Sequence, residues 1–241
     1  MTKRISEPDG NAIDVSDFTD KRLLVITPNY PNVDGSYFGS VFVKNQVDAL
    51  KKYFREVIVI APVLFSAGRF PDDRLCRDYT YDNVRVFYPR SLYIPWPVYR
   101  KLNISRMYFD TRASAVEALI QKENLEFDLV HAHFVWPSAQ IAQELKKKYD
   151  VPPCVVTAHG YDVYELPFRD KIWQRRVESV LNSMDRIITV SKKNQACLEI
   201  LCITTPPVTV IPNGFSEDLF YPQDRETCRK KLGLPLDKKS Y

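Results

Sequence analysis

Short, uninterrupted apolar runs alternate with amphipathic stretches along most of this chain, and that alternation restricts the fold more than any other property of the sequence. Lys21 to Thr27 reads K-R-L-L-V-I-T and stops at Pro28, and Glu56 to Ala61 reads E-V-I-V-I-A and stops at Pro62. A strand with one face in water alternates polar and apolar residues, whereas runs as uniformly apolar as these suit strands buried on both faces. Between them Val43, Val47, Leu50 and Phe54 recur at helical spacing, with Lys44, Asp48, Lys51 and Lys52 on the other face. Strand, helix and strand in that order make a βαβ unit, which predicts parallel pairing. The same reading predicts strands at Asn83–Tyr88, Phe127–His131, Cys154–Ala158, Arg186–Val190 and Val208–Ile211. Helices are predicted at about Val98–Gln121, Ser138–Tyr149 and Phe168–Met184, and Ser191 is placed to cap another. Between the strand at Asn83–Tyr88 and the helix after it, Tyr93-Ile94-Pro95-Trp96-Pro97 is excluded from a helix interior by its two prolines. The expected fold class is α/β, a Rossmann-like, doubly wound parallel sheet.

Composition sets boundaries around that expectation. A chain of 241 residues has room for one large α/β domain with an ample core. The formal net charge of +4 is compatible with anionic small molecules or an anionic membrane surface and too weak to argue for nucleic acid. No apolar run approaches the ~20 residues that cross a bilayer. Residues 1–20 are polar and acidic without the apolar core of a signal peptide, and are read as a flexible leader. Cys76, Cys154, Cys197, Cys202 and Cys228 are odd in number and form no C-x-x-C pair, which argues against a disulfide framework or zinc ribbon and for a cytoplasmic location. The domain reading is residues 21–215 as the Rossmann-like unit and 216–241 as a linker, carrying a short charged helix at Arg225–Leu232, toward a second domain that the chain lacks.

The protein has three histidines, and all of them close predicted strands. Asp128-Leu129-Val130-His131-Ala132-His133 ends one, and Val155-Val156-Thr157-Ala158-His159-Gly160-Tyr161-Asp162 ends the next. In open α/β sheets ligands bind beyond the carboxyl ends of the strands. His159 followed by Gly160, where backbone can approach a ligand, suits a hydrogen bond to a sugar hydroxyl, a phosphate or a reacting oxygen; a histidine satisfied by backbone carbonyls is the plain alternative. Asp162 either orients this loop or contacts substrate. His131, His133 and His159 together also fit an open three-histidine metal site.

Two other stretches carry chemistry. The loop Asp34-Gly35-Ser36-Tyr37-Phe38-Gly39-Ser40 precedes the first helix, whose amino end favours a phosphate, but its spacing is neither G-x-G-x-x-G nor a P-loop. Within residues 85–112, Arg85, Arg90, Arg100, Lys101, Arg106 and Arg112 interleave with Tyr93, Trp96, Tyr99 and Tyr108, which suits an anionic acceptor or a membrane surface as well as a solvated helix face.

Taken together, R-L-L-V-I-T-P-N-Y-P, G-S-V-F-V-K-N-Q-V-D-A-L, D-L-V-H-A-H-F, V-V-T-A-H-G-Y-D-V, D-R-I-I-T-V-S and V-T-V-I-P-N-G-F, in this order, resemble the amino-terminal half of a GT-B glycosyltransferase of family 4. The resemblance implies two Rossmann-like domains facing across a cleft, the first acceptor-side and the second holding most of the nucleotide. It implies a retaining hexosyltransferase using a nucleotide-sugar donor, a lipid-carrier, glycan or small-molecule acceptor, and neither metal nor other cofactor. His159 matches the histidine that contacts the transferred sugar, with Asp162 beside it in the same motif. Gly39 and Gly35, with Ser40, match the loop that approaches the donor diphosphate. Asn213 and Gly214 match the hinge-side turn, and together with His131, His133 and Gly160 are expected to line the cleft.

The chain also departs from the pattern. Its loop glycines are separated where related proteins often have adjacent ones, Ser216 stands where an aspartate is common, and the pair of glutamates with seven residues between them that marks the donor domain is missing. The resemblance therefore implies the acceptor-side part of a larger enzyme, inactive alone and located in the cytoplasm, with peripheral membrane contact through residues 85–112. Two other classes stay open from the residues themselves: a metal-dependent hydrolase using the three histidines, and a non-catalytic binding or membrane-docking module.

Overall fold

A computed structural model of the chain describes residues 18–65, 75–92 and 105–237, apart from 202, 204, 205, 216, 218 and 219, together with two short strands nearer the amino terminus. Those two, β1 (Ile5–Ser6) and β2 (Ala12–Ile13), pair antiparallel within the stretch read as a leader. The chain continues through β3 (Arg22–Ile26), α1 (Val41–Leu50), β4 (Glu56–Ile60), β5 (Val63–Phe65), β6 (Tyr79–Tyr81), β7 (Val84–Phe87) and β8 (Arg90–Leu92). Then follow α2 (Ser105–Lys122), β9 (Leu129–His133), α3 (Gln140–Lys148), β10 (Cys154–Ala158), α4 (Tyr161–Tyr164), α5 (Lys171–Leu181), β11 (Arg186–Thr189), α6 (Lys192–Ile200), β12 (Val208–Val210) and α7 (Arg225–Lys231).

Eight strands form one sheet in the order β12-β11-β10-β9-β3-β4-β7-β6, parallel throughout except for the pair β6–β7, while β5 and β8 pair separately. Strand order runs away from β3 in both directions, first to β4 and β7, then to β9 and onward through β12. The point where it reverses, between β3 and β9, is where an open α/β sheet leaves a crevice at its carboxyl edge. The expected doubly wound sheet is thus present.

Period-two side-chain alternation divides the strand residues between two cores. Leu23, Val25, Val57 and Val59 face α1 and pack with its Val43 and Val47. Leu24, Ile26, Ile58, Ile60, Val130, Ala132, Val156 and Ala158 face the opposite side and pack with α2, α3 and α5 through Val116, Ile141, Leu145, Val177 and Leu181. Each Val, Leu or Ile among them stabilises the fold by about 1.5–3 kcal/mol on burial, which explains why the predicted strands carry no polar alternation.

Several boundaries differ from expectation. The partner of β7 is the short hairpin strand Tyr79–Tyr81, closed by Asp82 at φ 47°, and an edge strand this short and polar gives no apolar run to read. The helix expected at 168–184 is divided: Leu166–Phe168 form a 3₁₀ turn, and α5 begins only after Asp170, whose Oδ1 accepts from the amides of Ile172 and Trp173 at 2.8 Å each. A side-chain cap with extended backbone starts a helix more firmly than apolar spacing does. Ser191 caps α6 as expected, through the amide of Asn194 at 3.2 Å. Of the helix expected at 98–121, residues 105–121 are helical, and 98–104 lie outside the described residues. Among the described residues no helix is long and apolar enough to cross a membrane.

Candidate active site

Three carboxyl ends meet at the rim of the crevice. β9 delivers His133 and Phe134, β10 delivers His159, and the connection from β3 to α1 supplies residues 28–40. The His159 ring lies between two aromatic rings, with centroids 4.7 Å from Phe42 in the first turn of α1 and 4.6 Å from Phe134. The loop after the first core strand and the histidine at the end of β10 therefore share one rim. Phe134 takes φ 72°, the left-handed region that bulky side chains avoid, and the amide hydrogen bond from Phe134 to the Thr157 carbonyl at 2.9 Å helps hold it there.

The glycine loop is braced from behind by tyrosines. The Tyr88 hydroxyl donates to the carbonyls of Tyr30 and Pro31 at 3.1 and 2.9 Å, and the Tyr79 hydroxyl donates to that of Pro31 at 2.8 Å. Asn32 closes the turn with its side-chain amide, which reaches Asp34 Oδ1, the Ser36 hydroxyl and the Leu75 carbonyl at 3.1, 3.0 and 2.6 Å. A Cβ added at Gly39 would stand 2.6 Å from the Tyr37 ring, so the loop closes only with glycine there or with Tyr37 moved. Ser40 sits at φ 44°, and its hydroxyl bonds Asn29 Oδ1 instead of capping α1. The amino end of α1 accordingly has no side-chain cap and no acidic residue in its first turn. Asn29 and the bracing tyrosines did not emerge from the sequence, because aromatic and amide residues in a loop carry no periodicity.

The three histidines form a contiguous stack. Ring centroids lie 4.3 Å apart for His131 and His133 and 5.3 Å apart for His133 and His159. His133 Nδ1 and His159 Nε2 are hydrogen-bonded at 3.1 Å, and His131 Nε2 bonds the Thr157 hydroxyl at 2.7 Å. Burial pushes His131 and His159 down to about 4, and His133 lies well below the usual imidazole range from burial and from its two neighbouring rings. All three are therefore neutral near pH 7. The His133 and His159 rings meet nitrogen to nitrogen while His131 turns its Nε2 to Thr157, and among the described residues no group of three His, Cys, Asp or Glu is arranged to hold a metal ion. His133 is only 1% exposed, so it backs His159 instead of lining the cleft as expected.

Gly160 and Asp162 join the two loops. Gly160 has φ 150° and ψ −84°, a conformation closed to residues with a Cβ, and an added Cβ would also meet the Tyr164 ring at 2.9 Å. Asp162 is buried, with Oδ2 accepting from the Val135 amide and Oδ1 from the Gly160 amide, both at 2.8 Å. Burial raises its carboxyl above the ordinary range, against the opposing pull of these two donors. Both oxygens are taken by backbone, so Asp162 staples the β9 and β10 loops; a role in direct contact with substrate does not fit this placement.

His131 lines a cavity of about 680 Å³ on the face of the sheet beside α1. Leu129, Val155, Thr157 and Ile188 form its floor, and Phe42 and Phe215 stand among its walls. Gly214 also lines it, while Asn213 Oδ1 accepts from the Gln46 side chain at 2.9 Å, tying the turn after β12 to α1. Of the basic and aromatic residues in 85–112, Arg85 pairs with Glu56 at 3.2 Å, Arg90 lies on β8, and Arg112 lines a second cavity with Asn29, Tyr37 and Tyr88. Tyr93, Trp96, Tyr99, Arg100 and Lys101, and the side chains of Arg106 and Tyr108, lie outside the described residues.

Comparison with known proteins agrees with this arrangement. The family model described as Glycosyltransferase Family 4 matches residues 39–219. The teichuronic acid biosynthesis glycosyltransferase TuaC of Bacillus subtilis (strain 168) is 31% identical over 225 residues, covering 90% of this chain and 56% of that protein. A D-inositol 3-phosphate glycosyltransferase of Mycolicibacterium paratuberculosis is 30% identical over 138 residues, covering 52% of this chain and 30% of its own length. Thus the chain spans about half, or less, of the length of the curated relatives it matches. Among solved structures, sucrose-phosphate synthase from Thermosynechococcus elongatus superposes with a TM-score of 0.63 at 19% identity, over 90% of this chain and 53% of that one. The Anabaena protein Alr3699/HepE in complex with UDP-glucose superposes with a TM-score of 0.54 at 17% identity, over 88% of this chain and 50% of that one.

Proposed function

The chain belongs to glycosyltransferase family 4, and from that premise we propose that it is the amino-terminal, acceptor-side part of a retaining glycosyltransferase that moves a hexose from a nucleotide-sugar to an acceptor hydroxyl. The observation that carries this reading is the shared rim, with His159 packed on Phe42 directly after the glycine loop. A sugar lying against His159 would have its diphosphate within reach of the amino end of α1, which has no side-chain cap and whose helix dipole favours anions. The protein's work in such a reaction is to orient the reactants and stabilise developing charge on the leaving phosphate as the sugar passes through an oxocarbenium-like state. Residues 21–215 would make up the acceptor-side domain and 216–241 the approach to the donor-side one. The names of the similar proteins favour UDP-glucose as the first donor to try and a polysaccharide precursor or cyclitol phosphate among the acceptors.

The test is transfer of radiolabelled sugar by the longer protein that includes the donor-side domain, with and without His159→Ala. Loss of one preorganised donor predicts a fall in turnover of roughly a hundredfold. Turnover close to wild type in that variant removes the role assigned to His159, and efficient transfer by these 241 residues alone contradicts the half-enzyme reading.

A further inference from the structure

The turn that follows His159 leaves large apolar side chains in solvent. Tyr161, Tyr164, Phe168 and Ile172 are all exposed, Phe168 by 49% and Ile172 by 64%, while Val163, Leu166, Val177 and Val180 of the same stretch are buried. The inner side of this stretch is thus packed without them. Because α4, the 3₁₀ turn and α5 pack on one another, the four belong to one region of the surface. Single exposed apolar residues are ordinary, but a group of them interleaved with charge marks an interaction surface. We propose that this patch docks the protein on an anionic lipid bilayer.

Cations are set among these side chains. The Arg169 guanidinium lies over the Tyr161 ring at 5.2 Å. Lys171 and Arg175, both exposed and four positions apart on α5, neighbour Ile172. Lys171 Nζ donates to the Gln174 side chain at 3.0 Å, a neutral partner that leaves its charge in place. Behind them α4 packs against α6, which opens with two further exposed cations, Lys192 and Lys193. The exposed acids of the stretch are already engaged, since Glu165 pairs with Arg169 at 3.2 Å and Asp170 caps α5. The patch is therefore apolar at its centre and net positive around it.

A headgroup layer suits both properties. Aromatic and aliphatic side chains sink to the acyl boundary, while lysine and arginine keep their charged ends among the lipid phosphates. Clustered cations beside an anionic leaflet each add to the attraction. A protein partner fits less well, because the centre of a protein interface is depleted of charged residues, lysine among them, whereas here Lys171 and Arg175 adjoin the most exposed apolar side chain of the patch. The patch also borders the rim: a Cβ placed on Gly160 would meet the Tyr164 ring at 2.9 Å. Docking is a property of this surface and does not depend on the reaction proposed for the rim.

Sedimentation of the 241-residue chain with vesicles tests this. The chain should pellet with vesicles containing phosphatidylglycerol, stay in solution with pure phosphatidylcholine vesicles, and be released by added salt. Lys171→Gln together with Arg175→Gln should weaken binding roughly thirtyfold, the effect of two cations lost near the surface. Phe168→Ser together with Ile172→Ser should weaken it at every salt concentration, because it removes apolar insertion and leaves the charge. These four side chains are exposed, and circular dichroism matching the wild type checks that the variants are folded. A wild-type chain that fails to pellet with the anionic vesicles, or pellets equally with both kinds, overturns the proposal. Binding that survives both double substitutions overturns it too, and places the contact elsewhere, residues 85–112 included. Self-association of the wild-type chain on a sizing column that is lost in Ile172→Ser would assign the patch to a second copy, with the same consequence.

Discussion

Phe42 and His159 are separated by 117 positions in the chain, yet their rings lie 4.7 Å apart at 54°, and Phe42 also meets Phe134 edge-on at 6.0 Å. This three-ring contact joins the loop after β3 to the ends of β9 and β10, so the rim behaves as one packed unit.

Phe42→Ala and Phe134→Ala should consequently fail to add. Aromatic pairs contribute about 0.5–1.5 kcal/mol beyond the area they bury, so a double-mutant cycle read by urea denaturation should give a coupling of about 1 kcal/mol. Strict additivity would mean that the two loops are not mechanically joined through these rings.

Asp162 holds two amides from different loops with two different oxygens. In Asp162→Asn one oxygen is replaced by an NH₂ group facing an N–H donor, which leaves a buried donor unpaired. The expected cost is about 1–3 kcal/mol in the urea-derived stability. Because the damage is local, hydrogen exchange at the amides of Val135 and Gly160 should accelerate more than exchange in β3 and β4. Equal protection at Val135 and Gly160 before and after the substitution would rule out the staple.

Acid should destabilise the fold through the buried histidines. Their folded values near 4, for His131 and His159, lie below the ordinary value near 6.5. Between those values the unfolded chain binds more protons, so stability rises with pH across that window; it is complete above about 6.5 and is lost as the pH falls through about 4. For His131 alone the difference corresponds to about 3 kcal/mol. The neighbouring carboxyl of Asp162, raised by burial, acts in the opposite sense at the acidic end and blunts the slope there. Urea midpoints measured from pH 7.5 to 4.5 should fall, and His131→Gln should flatten the curve. A wild-type midpoint independent of pH over that range would contradict the neutral, desolvated stack.

Much of the architecture was legible in the sequence because burial on both faces of a parallel sheet writes itself as apolar runs. Leu23–Ile26, Val57–Ile60 and Val130–Ala132 leave no polar alternation to misread, and proline or histidine marks where each run ends. The strand-end placement of His159, and the glycine loop after the first core strand, could be read for the same reason. Residues that act by orientation could not. Asp162 reads equally well as a substrate ligand or a turn residue, and only its two amide partners separate those roles. His133 looks like a cleft residue by spacing, but the register that sets it opposite Thr157 carries it under His159. Asn29, Tyr79 and Tyr88 act through hydrogen bonds to loop backbone, which follow no periodic pattern.

The sequence by itself determined the layers of this protein, the order in which its strands and helices follow one another, and the edge at which its histidines would emerge, because these depend on hydrophobic periodicity and on backbone-breaking residues that act locally. Only the tertiary structure decided which side chains at that edge face a ligand and which support the others. That choice rests on strand register and on hydrogen bonds between residues far apart in the chain, and neither leaves a local trace.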